Sequence, residues 1–291
     1  MTAPGGGATG AAPAAPAFVD LHMHSTASDG SRTPADVVAA AREARLAAIA
    51  LTDHDTVAGV AAAQDAGARL GVRVVAGVEL SAVEGDTETH LLGLHLAHLD
   101  EMQERLEAIR VMRVTRAERM VQRLNELGVT ITMDDVLEQA KGGAVGRPHV
   151  ARAMMAHGWV GEFREAFDRY LGFGRPAFVG KERLPMAEAI DMIHRAGGLA
   201  VLAHPGESCR RERLESLVAL GMDGVEVRHP SHSADEMRRL AALADLLGLL
   251  PSGGSDWHGT NERGRALGMM EVPMAWLVRQ DEAVAGRRAA R

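Results

Sequence analysis

Two residue pairs in this chain have the types and the spacing that a metal ion requires. His22 and His24 follow a short apolar run, and Asp256 and His258 repeat the same i, i+2 spacing late in the sequence. In an extended strand, residues i and i+2 point to the same face, so each pair would present its two side chains together. Such pairs also arise by chance, so the rest of the sequence must decide whether they bind metal.

Five further histidines and acidic residues share a common placement in the sequence. Each ends or closely follows a predicted strand, except His90, which lies near the beginning of its apolar run. Scattered structural histidines would show no such preference. Imidazole and carboxylate ligands without thiolates suit Zn, Mn or Fe, and nine ligands are too many for one ion. We therefore predict two or three partly open sites, with the candidate ligands His22, His24, Asp29, His54, Glu79, His90, His204, Asp256 and His258.

The segments that position these residues alternate short apolar runs with helical patterns. Helices are indicated by apolar spacing and by end signals such as Thr33-Pro34, which is typical of an N-cap followed by proline. Strands that alternate with helices in this way indicate parallel βα units closed as a barrel, with an active site at the carboxyl ends of the strands. The predicted strands are residues 17–21, 47–52, 72–80, 89–96, 199–203, 224–228 and 249–252.

One stretch interrupts this alternation. Residues 100–178 contain a long helical pattern over 100–127 and several shorter ones, with no convincing strand. We therefore predict a helical insertion domain, after which the barrel resumes. The expected organisation is a disordered tail over residues 1–16, a first part of the barrel over 17–99, the insertion over 100–178, a second part of the barrel over 179–278 and a C-terminal tail over 279–291.

Composition narrows the possible functions. The formal charge of −7 argues against a broad nucleic-acid surface, although metal ions could still bind a short nucleic-acid substrate. The single Cys209 rules out an internal disulfide and fits a reducing compartment. No window of about 18 uninterrupted apolar residues is present, and residues 1–16 lack the features of a signal peptide. We expect a cytoplasmic protein with no membrane contact and no obligate protein partner.

Seven ordered motifs in the chain resemble those of the PHP (polymerase and histidinol phosphatase) family. They read H-M-H, S-D-G, T-D-H-D, G-V-E-L-S, T-H-L-L-G, A-H-P and G-S-D-W-H, and they cover roughly residues 18–267. The chain is most similar to the TrpH/YciV-type branch, because S-D-G supplies Asp29 where histidinol phosphatases tend to have histidine. The resemblance implies an α/β fold with a distorted (β/α)7-type PHP barrel and a helical insertion domain.

The resemblance also implies a trinuclear metal centre. The first ion would be held by His22, His24, Glu79 and Asp256, the second by Asp29, His54 and His258, and the third by Glu79, His90 and His204. The expected cofactors are three divalent ions, with Mn²⁺ preferred and Fe²⁺ or Zn²⁺ as alternatives. Three divalent ions outweigh the charge of three carboxylates, which suits a phosphate dianion and an activated hydroxide that attacks phosphorus.

Two motifs outside the ligand series resemble substrate elements of the family. Gly146-Arg147-Pro148-His149 matches a G-R-P-H element, in which the fork of donors on Arg147 suits phosphate oxygens. Ser231-His232-Ser233 matches an S-H-S element, and His232 could bind phosphate or protonate the leaving oxygen. An exposed arginine at a loop–helix junction is the alternative for Arg147. The predicted catalytic residues are Arg147 and His232, and the predicted substrate-binding residues are Arg147, His149, His232 and Asp55.

The sequence leaves more than one role possible for several other polar residues. Asp53 and Asp55 flank His54 and could orient its ring, although Asp55 could instead cap the following helix. Six arginines crowd residues 105–123 and could follow a nucleic-acid backbone, but their acidic neighbours favour i, i+4 pairing on a solvated face. The role of His229 stays undecided, because R-H-P departs from the family pattern.

The implied function is that of a metal-dependent phosphoesterase acting on nucleotides. Its substrates would be nucleoside 3′,5′-bisphosphates, 5′-phosphorylated short RNA or DNA degraded in the 5′-to-3′ direction, or both. Two alternatives stay open: a histidinol-phosphate-type phosphomonoesterase, and a non-catalytic, metal-stabilised module of the same family. The complete ligand series and the absence of a polymerase region from the sequence favour the enzyme.

Overall fold

The computed structural model describes residues 18–85, 87–140, 145–180, 184–207, 209–260 and 264–290. The strands in these ranges are β1 (Phe18–Asp20), β2 (Ala48–Leu51), β3 (Arg73–Glu84), β4 (Thr87–Leu94), β5 (Leu199–Leu202), β6 (Gly224–Arg228), β7 (Leu250–Gly253) and β8 (Val272–Pro273). The helices are α1 (Pro34–Glu43), α2 (Val60–Leu70), α3 (Leu99–Glu126), α4 (Met133–Ala140), α5 (Arg147–Ala156), α6 (Phe163–Ala166), α7 (Met186–Arg195), α8 (Arg211–Ala219), α9 (Ala234–Leu247) and α10 (Met274–Ala289). A π-helical turn, Phe167–Leu171, directly follows α6. The predicted tail over residues 1–16 lies outside the described residues.

The strands form one sheet that closes almost completely into a barrel. Their order is β7-β6-β5-β4-β3-β2-β1-β8. The segments that follow β1 and β7 bring the two sides together, because the Leu21 N–H donates to the Gly253 carbonyl at 3.1 Å and Met23 pairs in parallel with Trp257. The predicted α/β barrel is confirmed.

The strand directions correct the prediction of uniformly parallel βα units. Strand β4 pairs antiparallel with both β3 and β5, and β8 pairs antiparallel with β1. The connection from β3 to β4 is short, and short connections join antiparallel neighbours. This direction explains the placement of His90. Since β4 runs opposite to its neighbours, its beginning lies at the same end of the barrel as the carboxyl ends of the parallel strands.

Apolar strands buried on both faces account for the barrel. Strand β2 reads A-I-A-L and β5 reads L-A-V-L, and every residue of both is buried. Apolar runs without alternation are typical of parallel strands covered on both sides. The covering side chains come from α1, α2, α7 and α9, and include Val37, Ala63, Ile190 and Leu240.

Helix α3 connects two apolar clusters. Met102 and Leu106 in its first half pack with the barrel, whereas Met120 and Leu124 pack in a second cluster with side chains of α4 and α5. The described residues between 99 and 171 form helices and no strand. The second cluster gives this helical segment, residues 99–171, a core of its own. The exact domain boundaries stay a prediction.

The C-terminal part of the sequence prediction is wrong. Residues 279–291 were expected to form a tail, but α10 continues to Ala289. Leu277, Gln280 and Val284 recur at helical spacing and are buried. Strand β8 has no counterpart among the predicted strands, because two residues are too few to show an apolar period. None of the described helices is long and apolar enough to cross a membrane.

A candidate metal centre

Backbone pairing where the barrel closes brings the two i, i+2 pairs together. The His24 N–H donates to the Trp257 carbonyl and the Asp256 N–H donates to the His22 carbonyl, both at 2.9 Å. Gly254 allows this close approach, since a Cβ there would lie 2.4 Å from the His22 backbone nitrogen. As a result, the Nε2 atoms of His22 and His24 lie 3.5 and 3.1 Å from Asp256 Oδ1.

The loop after β1, which carries Asp29, is fixed by a buried carboxylate. Asp53 accepts hydrogen bonds from the Ser25 N–H and hydroxyl, both at 2.7 Å. It also accepts one from the Ser28 hydroxyl at 2.6 Å. Asp53 therefore orients the loop of Asp29, whereas the sequence suggested that it orients the ring of His54.

Glu79 lies in the middle of the centre, where its carboxylate faces five imidazoles. Its Oε1 lies 2.8 and 3.0 Å from ring nitrogens of His90 and His204. Its Oε2 lies 3.1, 3.3 and 3.3 Å from ring nitrogens of His54, His22 and His24. The two oxygens face different groups of histidines, which is the geometry of a carboxylate that can bridge metal ions.

A second group of side chains surrounds Asp29, which is the more solvent-exposed part of the centre. Its Oδ1 lies 3.4 Å from His258 Nε2 and 3.9 Å from His24 Nδ1, and its Oδ2 lies 3.9 Å from His54 Nε2. Each of these four residues offers a ligand atom within 4.8 Å of the others. The same holds for His22, His24 and Asp256, and for His54, Glu79 and His90. The structure thus brings together all nine side chains that the sequence proposed as ligands.

Several polar atoms of the centre are buried without a hydrogen bond. They are His22 Nε2, both ring nitrogens of His24, and Glu79 Oε2. A buried polar atom without a partner costs about 1–3 kcal/mol, so a cluster of such atoms calls for a ligand. Imidazole nitrogens and carboxylate oxygens are donors that Zn, Mn and Fe accept. The donor set therefore fits divalent metal ions.

The histidines keep the carboxylates of the centre ionised. Burial alone would raise the pKa of Asp29, but the hydrogen bond with His258 and the nearby imidazoles lower this pKa to about 2. Burial would also raise the pKa of the Glu79 carboxyl, but His22 and His204 hold this pKa well below its ordinary value. Both carboxylates are therefore charged at neutral pH and suited to bind cations.

Two charged residues that sequence reasoning missed support the ligands. Glu226 Oε1 lies 3.1 Å from His22 Nδ1, and Glu226 Oε2 accepts the His204 N–H at 2.7 Å. Arg265 forms an ion pair with Asp256 through Nη1. Such partners orient metal-binding groups. Glu226 could have been found as the one acidic residue of the buried strand G-V-E-V-R, whereas Arg265 has no comparable signal.

His229, undecided from the sequence, lies beside the centre and is 2% exposed. Its Nε2 is 3.4 Å from Asp256 Oδ2, and its Nδ1 is 2.7 Å from the Ser231 hydroxyl. The Oδ2 atom of Asp256 is thus shared between His229 and Arg265, and Oδ1 is left to face His22 and His24. His229 therefore helps to orient a ligand carboxylate.

Strained backbone marks two of the ligand positions. His204 has a φ of +28° and Asp256 a φ of +50°. Side-chain-bearing residues rarely adopt positive φ, and each instance costs about 1–3 kcal/mol. Such strain persists where the surrounding structure fixes the residue, and it is typical of functional sites.

The helical segment contacts the barrel directly next to the centre. Arg113 of α3 binds Asp55 Oδ2 through Nη2 at 2.7 Å, and Asp55 follows the ligand His54 in the chain. Asp55 Oδ1 accepts the Ser81 N–H at 3.1 Å. The N-cap of α2 is Gly59, so the interpretation of Asp55 as a helix cap is wrong. Its carboxylate is engaged by Arg113 and Ser81, and substrate binding by Asp55 stays a prediction.

Arg116, one turn beyond Arg113, is a buried cation with an unused donor. Its Nε–H donates to the Val179 carbonyl at 3.0 Å, and its Nη2 is buried without a hydrogen bond. Burial, followed by the charges of Arg147 and Arg113, lowers the pKa of Arg116 to about 10. Arg113, Arg116 and Arg147 are here called the arginine cluster, and Arg116 is its buried member, since Arg113 and Arg147 are partly exposed.

The arginine cluster corrects the interpretation of α3 as a solvated face with i, i+4 pairs. Arg113 binds the barrel, and Arg116 binds a backbone carbonyl outside its own helix. Arg123 likewise donates to the Phe178 carbonyl. Since these three arginines face neighbouring segments, the acidic residues of α3 do not explain their positions.

The G-R-P-H element lies at the start of α5, as predicted. The guanidinium of Arg147 lies 5.5 Å from the centre of the Phe178 ring and 5.9 Å from that of Phe167. Its Nη1 is 3.5 Å from the Leu171 carbonyl. Arg147 is therefore partly buried between aromatic rings, unlike an exposed arginine at a loop–helix junction. His149 Nδ1 accepts the N–H of the N-cap residue at 3.1 Å and fixes the start of the helix.

His232 does not present a free nitrogen in the structure. Its Nδ1 bonds the Val227 carbonyl at 3.0 Å, and its Nε2 accepts the Gly206 N–H at 3.2 Å. Burial lowers the pKa of His232, so the ring is neutral near pH 7. The catalytic role of His232 stays a prediction: the ring connects the segment after β5 to the segment after β6, and binding or protonating substrate would require it to give up one of these bonds.

The barrel and its histidine–carboxylate centre are those of a metal-dependent hydrolase. Comparison with known proteins leads to the same class, because residues 20–173 match the PHP domain. The chain is 37% identical over 268 residues to the 3′,5′-nucleoside bisphosphate phosphatase of Chromobacterium violaceum, covering 88% of this chain and 92% of that protein. It is 37% identical over 247 residues to the 5′-3′ exoribonuclease Rnm of Escherichia coli, covering 82% and 84%.

A solved structure gives the same result. A protein from Bifidobacterium adolescentis, described as a candidate metal-dependent phosphoesterase, superimposes with a TM-score of 0.71 at 32% identity, covering 91% of this chain and 96% of that one. The chain belongs to the PHP family. The predictions of family, fold and phosphoester hydrolase are confirmed.

Proposed function

We propose that this chain hydrolyses phosphate esters of nucleotides, at the 3′-phosphate of a nucleoside 3′,5′-bisphosphate, at the 5′ end of short RNA or DNA, or at both. The observation that carries the proposal is the donor set for divalent cations together with Arg116, a buried cation with an unused donor on the helix whose Arg113 binds Asp55 next to the ligand His54. The donor set can hold metal ions, and Arg116 can bind a phosphate oxygen. Relatives named as a bisphosphate phosphatase and an exoribonuclease support this substrate class.

The nine ligands would hold three divalent ions, with Mn²⁺ preferred over Fe²⁺ and Zn²⁺. The proposed sites are His22, His24, Glu79 and Asp256; Asp29, His54 and His258; and Glu79, His90 and His204. The position of Glu79 between two groups of histidines supports its role as the shared ligand. When bound, the ions supply positive charge to the phosphoryl oxygens and lower the pKa of water for attack on phosphorus.

Residues around the ligands keep the donor atoms correctly oriented. Glu226 engages His22 Nδ1, so the unbonded Nε2 points into the centre. Arg265 and His229 engage one oxygen of Asp256, so the other oxygen faces the histidines. Because these partners fix the ring and carboxylate in advance, little reorganisation accompanies catalysis.

The arginine cluster would position the phosphate that is not cleaved. Arg116 Nη2 has no hydrogen bond to break and would bind a phosphate oxygen once its covering neighbours move aside, whereas Arg113 stays paired with Asp55. Arg147 lies close enough to lower the pKa of Arg116, so one anion could neutralise both. Hydrogen bonds to charged groups contribute about 1.5–3 kcal/mol, enough to select substrates with a second phosphate.

The proposal is tested by assaying Mn²⁺-loaded protein on three substrates: 3′-phosphoadenosine 5′-phosphate, a 5′-phosphorylated oligonucleotide and histidinol phosphate. We expect turnover of at least one nucleotide substrate, and much slower turnover of histidinol phosphate, which has no second phosphate for the arginine cluster. Faster hydrolysis of histidinol phosphate than of both nucleotides would support the monoesterase alternative. Metal binding without hydrolysis of any phosphoester would support the non-catalytic module.

A cytoplasmic location is part of the proposal and rests on Cys209, the single cysteine, which is free and buried. The proposal requires no obligate protein partner, because every ligand and every member of the arginine cluster belongs to this chain.

A further inference from the structure

The side chain of Phe173 is unusually exposed to solvent. It is 89% exposed, whereas Leu246, the next most exposed large apolar side chain among the described residues, is 60% exposed. Aromatic side chains are normally among the most buried, because their large apolar surface is unfavourable in water. Its position on the loop after the π-helical turn therefore requires an explanation.

The loop that carries Phe173 is a defined turn. The Gly172 N–H donates to the Phe167 carbonyl at 2.8 Å, and a Cβ on Gly172 would lie 2.6 Å from the same oxygen. Gly174 has a φ of +71°, which favours glycine. The Arg175 N–H then donates to the Gly172 carbonyl at 3.0 Å. Two glycines thus hold the phenyl ring in a fixed outward position.

The Phe173 ring is continuous with the arginine cluster. It packs against Phe178 in an edge-on arrangement, with ring centres 5.5 Å apart. Phe178 also contacts the guanidinium of Arg147, which lies 5.5 Å from the ring centre. An exposed aromatic face therefore lies next to groups that can bind phosphate.

Helix α3 relates this aromatic face to the metal centre. Arg113 contacts Asp55 beside the centre, and Arg123, ten residues later, contacts the backbone of Phe178. Ten helical residues span about 15 Å. Stacked bases are about 3.4 Å apart, so Phe173 lies several bases away from the metal centre.

We infer that Phe173 stacks on a base of a single-stranded oligonucleotide whose 5′ end occupies the metal centre. The inference rests on the proposed function and specifies its substrate as an oligonucleotide longer than a single nucleotide. The sugar–phosphate backbone follows Arg116 and Arg123 of α3, and a base several positions downstream lies on the phenyl face. A cationic path with an exposed aromatic ring is the usual combination for binding single strands without sequence preference.

Kinetics on substrates of two lengths test this inference. Phe173→Ala should raise KM for a 5′-phosphorylated pentanucleotide by about 5- to 150-fold, the effect of losing one base–aromatic stack. It should leave turnover of 3′-phosphoadenosine 5′-phosphate unchanged, because that substrate has no downstream base. Phe173→Tyr should keep the wild-type KM. The matched control is Leu246→Ala, which removes another exposed apolar side chain and should change neither substrate.

A binding measurement keeps the test independent of turnover. Phe173→Trp places an indole at the proposed stack, and its fluorescence, after subtraction of the wild-type signal from the three native tryptophans, should be quenched by a phosphorothioate pentanucleotide that resists hydrolysis. Quenching in a protein that hydrolyses neither substrate would support the stack while contradicting the proposed function.

Two results would overturn the inference while leaving the proposed function intact. One is normal pentanucleotide KM in Phe173→Ala together with no quenching in Phe173→Trp, which would indicate that the exposed ring binds something else, such as a protein. The other is an equal loss on both substrates in Phe173→Ala, which would indicate general damage to the helical segment.

Discussion

The barrel and the helical segment place their charged side chains in opposite ways. In the barrel, His22, His24 and Asp256 are fixed by backbone pairing between segments that follow two strands. In the helical segment, Arg116 and Arg147 extend from helices and are held by contacts with carbonyls and aromatic rings. Metal binding needs ligand positions fixed within fractions of an ångström, whereas anion recognition tolerates adjustable side chains. We therefore propose that the barrel carries the chemistry and that the helical segment selects the substrate.

The two regions also differ in charge. The carboxylates of the barrel centre have lowered pKa values because histidines surround them, and they attract cations. Arg116 has a lowered pKa for the opposite reason, since it is a buried cation near other cations and attracts an anion. Substitutions in the barrel should therefore affect every substrate, and substitutions in the arginine cluster should affect only substrates that reach it.

The largest effect is expected for Glu79→Gln in the barrel. The change removes the charge that faces five imidazoles, so at least one ion should be lost or displaced. We expect a fall of about 10³-fold or more in kcat on every phosphoester, since metal ions contribute several kcal/mol to phosphoryl transfer. The measurement is kcat together with metal content per chain. Full metal content with wild-type kcat would contradict the central role of Glu79.

Glu226→Gln should have a smaller effect of the same kind. Glu226 orients His22 and the backbone of His204 and lies near His229, whereas Glu79 faces five of the proposed ligands. Loss of such a partner typically reduces metal affinity or activity by 10- to 100-fold. Titration of activity with Mn²⁺ measures the change in affinity. The matched control is Glu215→Gln on the exposed face of α8, which should behave as wild type.

Arg116→Met should separate the contribution of Arg116 to substrate binding from its contribution to stability. Removing a charge-assisted bond to phosphate should raise KM for nucleotide substrates by about 10- to 100-fold, with kcat little changed. Because the substitution removes a buried, incompletely bonded cation, Tm should stay equal or rise. Arg119→Met on the exposed side of α3 is the control. A lower Tm with unchanged KM would mean that Arg116 is purely structural.

The smallest effect is expected for the stability of the protein when the metal ions are removed. Saturating Mn²⁺ at about 100 times Kd stabilises the folded state by about 2.7 kcal/mol, which raises Tm by about 4 °C in a chain of this size. Hydrogen exchange of the chelated protein should speed up in the segments that carry ligands and stay constant in α4 and α5. Equal loss of protection in both regions would show that the metal centre also stabilises the helical segment.

The ligands could be predicted from the sequence because strand ends define where side chains lie. His22, His24 and His54 each follow a strand, so the barrel brings them together without further information, whereas Glu79 lies in the middle of β3, which continues to Glu84 beyond the predicted strand end. His90 could be placed only once β4 was known to be antiparallel. Strand direction depends on long-range pairing, which a local apolar pattern does not record.

The partners of the ligands and the arginine cluster were harder to predict, because their contacts join distant parts of the chain. Arg265 reaches Asp256, and Arg113 reaches Asp55, across connections that leave no spacing signal. The arginines of α3 fit i, i+4 pairing in the sequence, yet Arg113 binds Asp55 of the barrel, and Arg116 and Arg123 bind backbone carbonyls of the segment after the π-helical turn. For His232, the motif indicated substrate, and its two backbone hydrogen bonds with distant segments left no signal in the sequence.

The most direct test of the account compares wild-type protein with His22→Ala for Mn²⁺-dependent release of phosphate or mononucleotide from nucleotide substrates. His22 lies at the closure of the barrel, and its Nε2 is buried without a hydrogen bond. We expect that chelation abolishes release, that Mn²⁺ restores it in wild type, and that His22→Ala stays at the background rate. Full activity in His22→Ala would show that the proposed metal centre does not carry the reaction.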